Sequence, residues 1–172
     1  MCSQVNKQMV VDVVNSNDTP IDTAKRGEVL AEGLNFRTVH IFILNKSKDK
    51  LLLQQLGKNR DRHPGYFGSS VAAYLFSGES YLSGATRRLE QELSVNPDHV
   101  DLSWHGKKAM KDNESTKFVG LYTTCYEGPV DPDVNHIQDI KWEELANIDN
   151  LIASDNVHFT PTFEHVWNIF VS

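Results

Sequence analysis

Residues 73–95 read AYLFSGESYLSGATRRLEQELSV, and the rest of the chain is best read outward from them. Ser77-Gly-Glu-Ser80 breaks the segment before it. Ser80 offers a helix N-cap, because a serine hydroxyl accepts from a free backbone N–H of the first turn. From Tyr81 to Leu93 the apolar residues Leu82, Ala85, Leu89 and Leu93 recur at helical spacing, which predicts a helix there. On that helix Arg88, Gln91 and Glu92 stand at i, i+3 and i+4 and so share one face. That face carries one positive, one neutral and one negative side chain, and its charge sums to zero.

Upstream, Tyr66 to Phe76 is small, apolar and aromatic and reads as extended. Its Tyr66, Phe67, Tyr74 and Phe76 suit a core and a cleft wall. The preceding loop, Lys58 to Gly65, carries Lys58, Arg60, Arg62 and His63, a cationic cluster that is either solvated or meets phosphate. Thr38–Leu44 and Lys50–Gln55 read as strands around a polar turn, a hairpin pattern. His40 in the first of them reads as a satisfied histidine. Val10–Val14 is a further β-branched strand. The apolar residues Ala24, Val29, Leu30 and Ala31 predict a short helix over Thr23–Gly33 that ends on glycine.

Downstream, Val100–Trp104 and Lys117–Tyr126 read as strands, with His105–Thr116 as a polar loop between them. Ile137–Trp142 is a short strand followed by a helical turn at Glu143-Glu-Leu145. Phe159–Val171 is an amphipathic helix with Phe163, Val166, Trp167 and Phe170 as its stripe. This stripe suits either the core or a homodimer contact. Strands dominate the middle and helices punctuate them, so the class is α+β with a mixed sheet.

The chain has 172 residues, 17 Lys+Arg and 23 Asp+Glu, for a net charge of −6. That length suits one domain over residues 10–172 after a loose segment over 1–9. The acidic balance argues against nucleic acid as a partner, since that affinity is built from Lys and Arg on phosphates. A small phosphorylated molecule needs only a local basic patch. No apolar run approaches the roughly 20 residues of a membrane helix, so no membrane partner is expected. Met1–Lys7 lacks an apolar core, so no signal peptide is expected. The two cysteines, Cys2 and Cys125, are too few for a disulfide framework or zinc knuckle. They point to a reduced cytoplasmic protein, with Cys125 as a small buried hydrophobe.

Residues 73–95 resemble the box of the Nudix family. That box runs Gly, five residues, Glu, seven residues, Arg-Glu, an aliphatic, any residue, Glu-Glu, any residue, Gly, an aliphatic. Glu79 stands at the first Glu, Arg87 at the Arg, Leu89 and Val95 at the aliphatics, and Glu92 at the second Glu of the pair. Four positions depart: Ala73 for the opening Gly, Arg88 for the next Glu, Gln91 for the first of the pair, and Ser94 for the later Gly. Leu51-Leu-Leu-Gln-Gln55, Pro64-Gly65, Trp142-Glu-Glu-Leu145 and Phe159-Thr-Pro-Thr-Phe163 are similar to the branch that includes isopentenyl diphosphate isomerase and its hydrolase-like relatives. The cysteine those isomerases use is absent from the Ser69-Ser-Val71 neighbourhood, so isomerase activity is disfavoured.

The resemblance implies the Nudix fold, a mixed β-sheet sandwiched between helices. It also implies a hydrolase of X–O–P–O–P bonds in nucleotide-like substrates, with Mg²⁺ or Mn²⁺ on carboxylates at positions 88, 91 and 92. Hard ions of this kind want oxygen ligands. Under it Glu92 and Glu79 are the catalytic candidates, and Glu92, Asp139 and His136 are the remaining metal candidates. Arg88, Arg60, Arg62 and Lys58 are the substrate-binding candidates, and Arg87, Leu89 and Ala73 are structural. Arg87 is expected to pair with Glu79. Arg88 either pairs with Glu92 or faces a ligand phosphate as a fixed cation. A guanidinium about 6 Å from a divalent ion, at an effective dielectric of about 20, is repelled by roughly 5 kcal/mol. Two readings follow: a hydrolase of divergent or impaired activity, or a non-catalytic Nudix-fold protein that binds a nucleotide, a diphosphate or a protein partner.

Overall fold

The computed structural model describes residues 7–172; Cys2 and most of the expected loose N-terminal segment lie outside the described residues. Strands β1 (Val10–Val14) and β2 (Pro20–Lys25) form an antiparallel ribbon. The remaining strands build one mixed sheet: β3 (Phe36–Leu44), β4 (Lys50–Leu56), β5 (Phe67–Gly68), β6 (Val71–Tyr74), β7 (Ser103–Asp112), β8 (Ser115–Cys125) and β9 (Ile137–Glu144). Its path runs β5-β4-β3-β8-β7, with β6 on β3 and β9 on β4. Of the pairs between these strands, β3–β8 is parallel and the others are antiparallel.

Strands β3 and β4 are apolar on both faces because both faces are covered. Val39, Ile41, Ile43 and Leu52 pack on Ala85, Leu89 and Leu93 of helix α1 (Tyr81–Leu93). Phe42, Leu44, Leu51 and Leu53 pack on Ile148 of helix α2 (Leu145–Ala153) and on Phe163, Val166 and Trp167 of helix α3 (Pro161–Val171). The sheet is therefore sandwiched between helices, as the resemblance implies. The aromatic stripe of α3 is used by this core. Gly84 lets α1 approach closely, since a Cβ there would overlap Leu75 Cδ2. Ser80 caps α1 as expected, in a reciprocal box with Ser83.

The expected β3–β4 hairpin is mostly not one. The two strands meet at Leu44 and Leu51 only, and β4 pairs along its length with β9. Beyond that meeting point they splay, and Ser70 bridges the gap by accepting from Ile43 N at 2.9 Å and donating to Leu52 O. The expected helix over Thr23–Gly33 is instead the end of β2 and a short 3₁₀ turn, Arg26–Glu28. Pairing with β1, which sets Val11 opposite Ala24, overrides the helical reading. The expected loop His105–Thr116 is largely β7, an edge strand, and the first residues of β8. Cys125 is exposed at the last position of β8 and is not the expected core residue.

Candidate functional site

The splayed end of β3 and β4 opens into a cleft of about 610 Å³, a size typical of small-molecule sites. The charges along it are uneven. Lys7, Arg26, Arg60, Arg62, Arg87, Arg88 and Lys117 all line it. Carboxylates partner five of these: Asp61 takes Lys7, Asp112 takes Arg62 and Lys117, Glu79 takes Arg87, and Glu92 takes Arg88. Among the described residues Arg26 and Arg60 have no carboxylate within ion-pair distance. Burial lowers the pKa of both guanidiniums and nearby guanidiniums, Arg88 among them, lower it further, while Tyr74 and Asp61, and for Arg60 also Glu92, act in the opposite direction. Guanidinium is so basic that both stay charged. Arg26 lies 4.2 Å over the Tyr74 ring, which stacks on Phe36 at 5.0 Å.

The box helix supplies the rest. The Arg87 guanidinium donates to both oxygens of Glu79, at 2.8 and 3.0 Å, and to Tyr74 O. Glu79 Oε1 also accepts from Phe76 N at 2.7 Å. Glu79 is thus a clamp between loop and helix, with both oxygens engaged by Arg87 and one also by Phe76 N. Glu79→Gln should lower unfolding free energy by about 1.5–3 kcal/mol in urea titrations, the range of a hydrogen bond to a charged group. Leu89 is buried in the α1 core, and Ala73 lines the cleft.

Glu92 is 2% exposed. Its Oε1 accepts from Ala72 N at 3.3 Å, and its Oε2 accepts from Gln54 Nε2 at 3.2 Å. Arg88 Nε sits 3.3 Å from Oε1 but off the hydrogen-bond direction, and this buried nitrogen has no hydrogen-bond partner. Arg88 therefore pairs with Glu92 and also lines the cleft. Gln91 is exposed and accepts from Arg87.

A divalent ion does not fit this donor set. Asp139 is exposed on β9 opposite Gln55, and His136 lines the cleft with its Nδ1 bonded to Asp133 at 2.6 Å. Neither joins Glu92 in a ligand cluster, and no three His, Cys, Asp or Glu side chains converge among the described residues. The three expected metal candidates, Glu92, Asp139 and His136, therefore do not converge in one cluster. Lys58 is exposed and outside the cleft lining, whereas Arg60 and Arg62 line the cleft.

Residues 34–163 match the NUDIX domain family. The chain belongs to the Nudix hydrolase family. An uncharacterised Nudix hydrolase of Yersinia pestis is 26% identical over 132 residues, which span 77% of this chain and 71% of that protein. One of Nostoc is 28% identical over 127 residues, spanning 73% of each. Among solved structures, DR0079 of Deinococcus radiodurans has a TM-score of 0.82 at 19% identity and covers 94% of this chain and 99% of its own. The Nudix domain of Shewanella oneidensis NrtR, solved with ADP ribose, has a TM-score of 0.61 at 16% identity and covers 85% and 96%. At these identities the two structures establish the Nudix fold alone.

Sequence reasoning found the box helix and the Arg60–Arg62 loop but missed Arg26, Thr38 and Lys117. Arg26 reaches the cleft only because β1 and β2 fold back as a ribbon. Thr38 and Lys117 did carry a signal, since each is a polar residue directly beside an apolar run of its strand. No described helix is long and apolar enough to cross a membrane.

Proposed function

We propose that this Nudix protein binds the phosphate end of a small nucleotide- or diphosphate-like molecule on Arg26, Arg60 and Arg88. In this reading, guanidiniums take over the charge-neutralising role the family gives to a helix-bound metal, and diphosphate hydrolysis is impaired. The observation that carries it is the excess of cations over carboxylates in one cleft, with Arg88 on the box face. Guanidinium matches phosphate bidentately and needs no ion between. The ADP ribose of the Shewanella structure supports a nucleotide-like ligand class.

The test is calorimetry with pyrophosphate and nucleoside diphosphates, in chelator and then in excess Mg²⁺ or Mn²⁺, together with a phosphate-release assay. Binding is expected in chelator, with little turnover in either metal. Binding only with metal, or metal-dependent turnover at about 1 s⁻¹ or faster, would overturn the reading.

A further inference from the structure

The two cleft arginines that lack an ion pair have a carboxylate for a neighbour all the same. Asp61 follows Arg60 in the Lys58–Gly65 loop and lines the cleft with Arg26 and Arg60. Its charge acts on both guanidiniums, and theirs on it. Its ion pair, however, is with Lys7, at 2.7 Å. Both partners of that pair are open to water, with side chains 48% and 59% exposed.

Two contacts bring Lys7 to this place. Arg26 N donates to Met9 O at 2.8 Å, which lays the residues before β1 along the turn Arg26–Glu28. Gly27 lets them lie close, because a Cβ there would stand 3.1 Å from Lys7 Cβ and 3.3 Å from Lys7 O. Lys7 therefore starts on the turn that carries Arg26, and its ammonium ends on the loop that carries Arg60. One ion pair joins the two segments that supply the free arginines.

A carboxylate beside a phosphate site is a competitor. Guanidinium pairs bidentately with either group, so Asp61 and a phosphate ask for the same N–H donors. The Lys7 bond and charge, and to a lesser extent Arg26 and Arg60, hold the Asp61 carboxyl below its ordinary range, so it is ionised at neutral pH. Its position then depends on which cation holds it. With Lys7 in place, neither Arg26 nor Arg60 has a carboxylate at ion-pair distance among the described residues.

We propose that Lys7 is a positioning residue for the anion site: it holds Asp61 off Arg26 and Arg60 and so keeps both guanidiniums available to the ligand. This rests on the reading of Arg26, Arg60 and Arg88 as a phosphate site. Without Lys7, Asp61 turns to the guanidiniums, and an incoming anion must first displace it. Breaking an exposed ion pair of that kind lowers affinity by up to about fivefold.

A lysine that merely adds positive charge near the ligand would act differently, because its effect would not depend on Asp61. The experiment is calorimetry on the full chain with pyrophosphate, in chelator and about 0.15 M salt, where charges more than about 8 Å apart are largely screened. It compares the parent, Lys7→Met, Asp61→Asn and the double variant. Lys7→Met is expected to weaken pyrophosphate about three- to fivefold in the parent and less than about twofold in the Asp61→Asn background. Lys7→Arg, which keeps the ion pair, should bind within about twofold of the parent. Melting temperatures should stay within about 2 °C of the parent, since the pair is exposed. A Lys7→Met loss of the same factor in both backgrounds, or no loss in either, would overturn the positioning role and leave the arginine site standing. A Lys7→Arg loss as large as that of Lys7→Met would overturn it as well. Failure of the parent to bind pyrophosphate would overturn the phosphate reading, and the role of Lys7 with it.

Discussion

Alanine in place of Asp18 is expected to lower the unfolding free energy by about 3–5 kcal/mol, the range for breaking a buried ion pair from one side. Asp18 sits in the β1–β2 turn at φ 60°, and its side chain is 4% exposed. Its carboxylate accepts from Arg37 Nε at 2.6 Å, Tyr81 OH at 2.7 Å and Lys107 Nζ at 2.6 Å. One carboxylate thus ties the ribbon to β3, α1 and β7. Its removal strands the Arg37 guanidinium, 15% exposed, and the Tyr81 hydroxyl. Burial alone would push the Asp18 pKa up, but the bonds from Arg37, Lys107 and Tyr81 outweigh it and hold the carboxyl below its ordinary value. A depressed folded pKa means the stabilisation is complete above the unfolded value of about 4 and is lost as pH falls through the folded value. The deficit of Asp18→Ala should therefore be full at pH 7 and shrink in acid. Urea titrations across that range measure both effects. A loss under about 1 kcal/mol at pH 7 would show that the network does not hold the elements together.

The double variant Arg26→Ala/Arg60→Ala is expected to weaken pyrophosphate binding by at least about a hundredfold. A hydrogen bond to a charged group contributes about 1.5–3 kcal/mol, and two of them at the low end already exceed that factor. Stability should fall only modestly, because neither guanidinium has a carboxylate at ion-pair distance, and what is lost is the stacking of Arg26 on Tyr74 and the longer-range attraction of Asp61 and Glu92. Calorimetry and a melting curve of the free protein separate the two effects. Affinity within about fivefold of the parent, with a normal melting temperature, would place the anion elsewhere.

The sequence was most legible where one element explains itself. Helix α1 was readable end to end, because the Ser80 cap and the spacing of Ala85, Leu89 and Leu93 agree. Strand β7 was hidden because nearly every residue of it faces water, so no alternation marks it. The segment after Pro20 was misread because Ala24, Val29, Leu30 and the closing Gly33 read as a short helix, while pairing with β1 is a long-range fact. The candidate site divides the same way. Arg88, Gln91 and Glu92 share a helix and could be summed from the sequence. The joining of Arg26 to Arg60, or of Thr38 to Lys117, depends on how the ribbon folds back and how β3 and β8 align in parallel.

Glu92 changes how a familiar experiment would read in this protein. In an enzyme whose box glutamate is a metal ligand, a glutamine substitution is a scalpel: it removes chemistry and spares architecture. Here the same carboxylate is a joint where α1, Gln54 of β4 and Ala72 of β6 are fastened together. Glu92→Gln would leave the Arg88 charge uncompensated and swap an acceptor for a donor beside the Gln54 amide. Lost function in that variant would report a loosened joint as readily as a missing ligand.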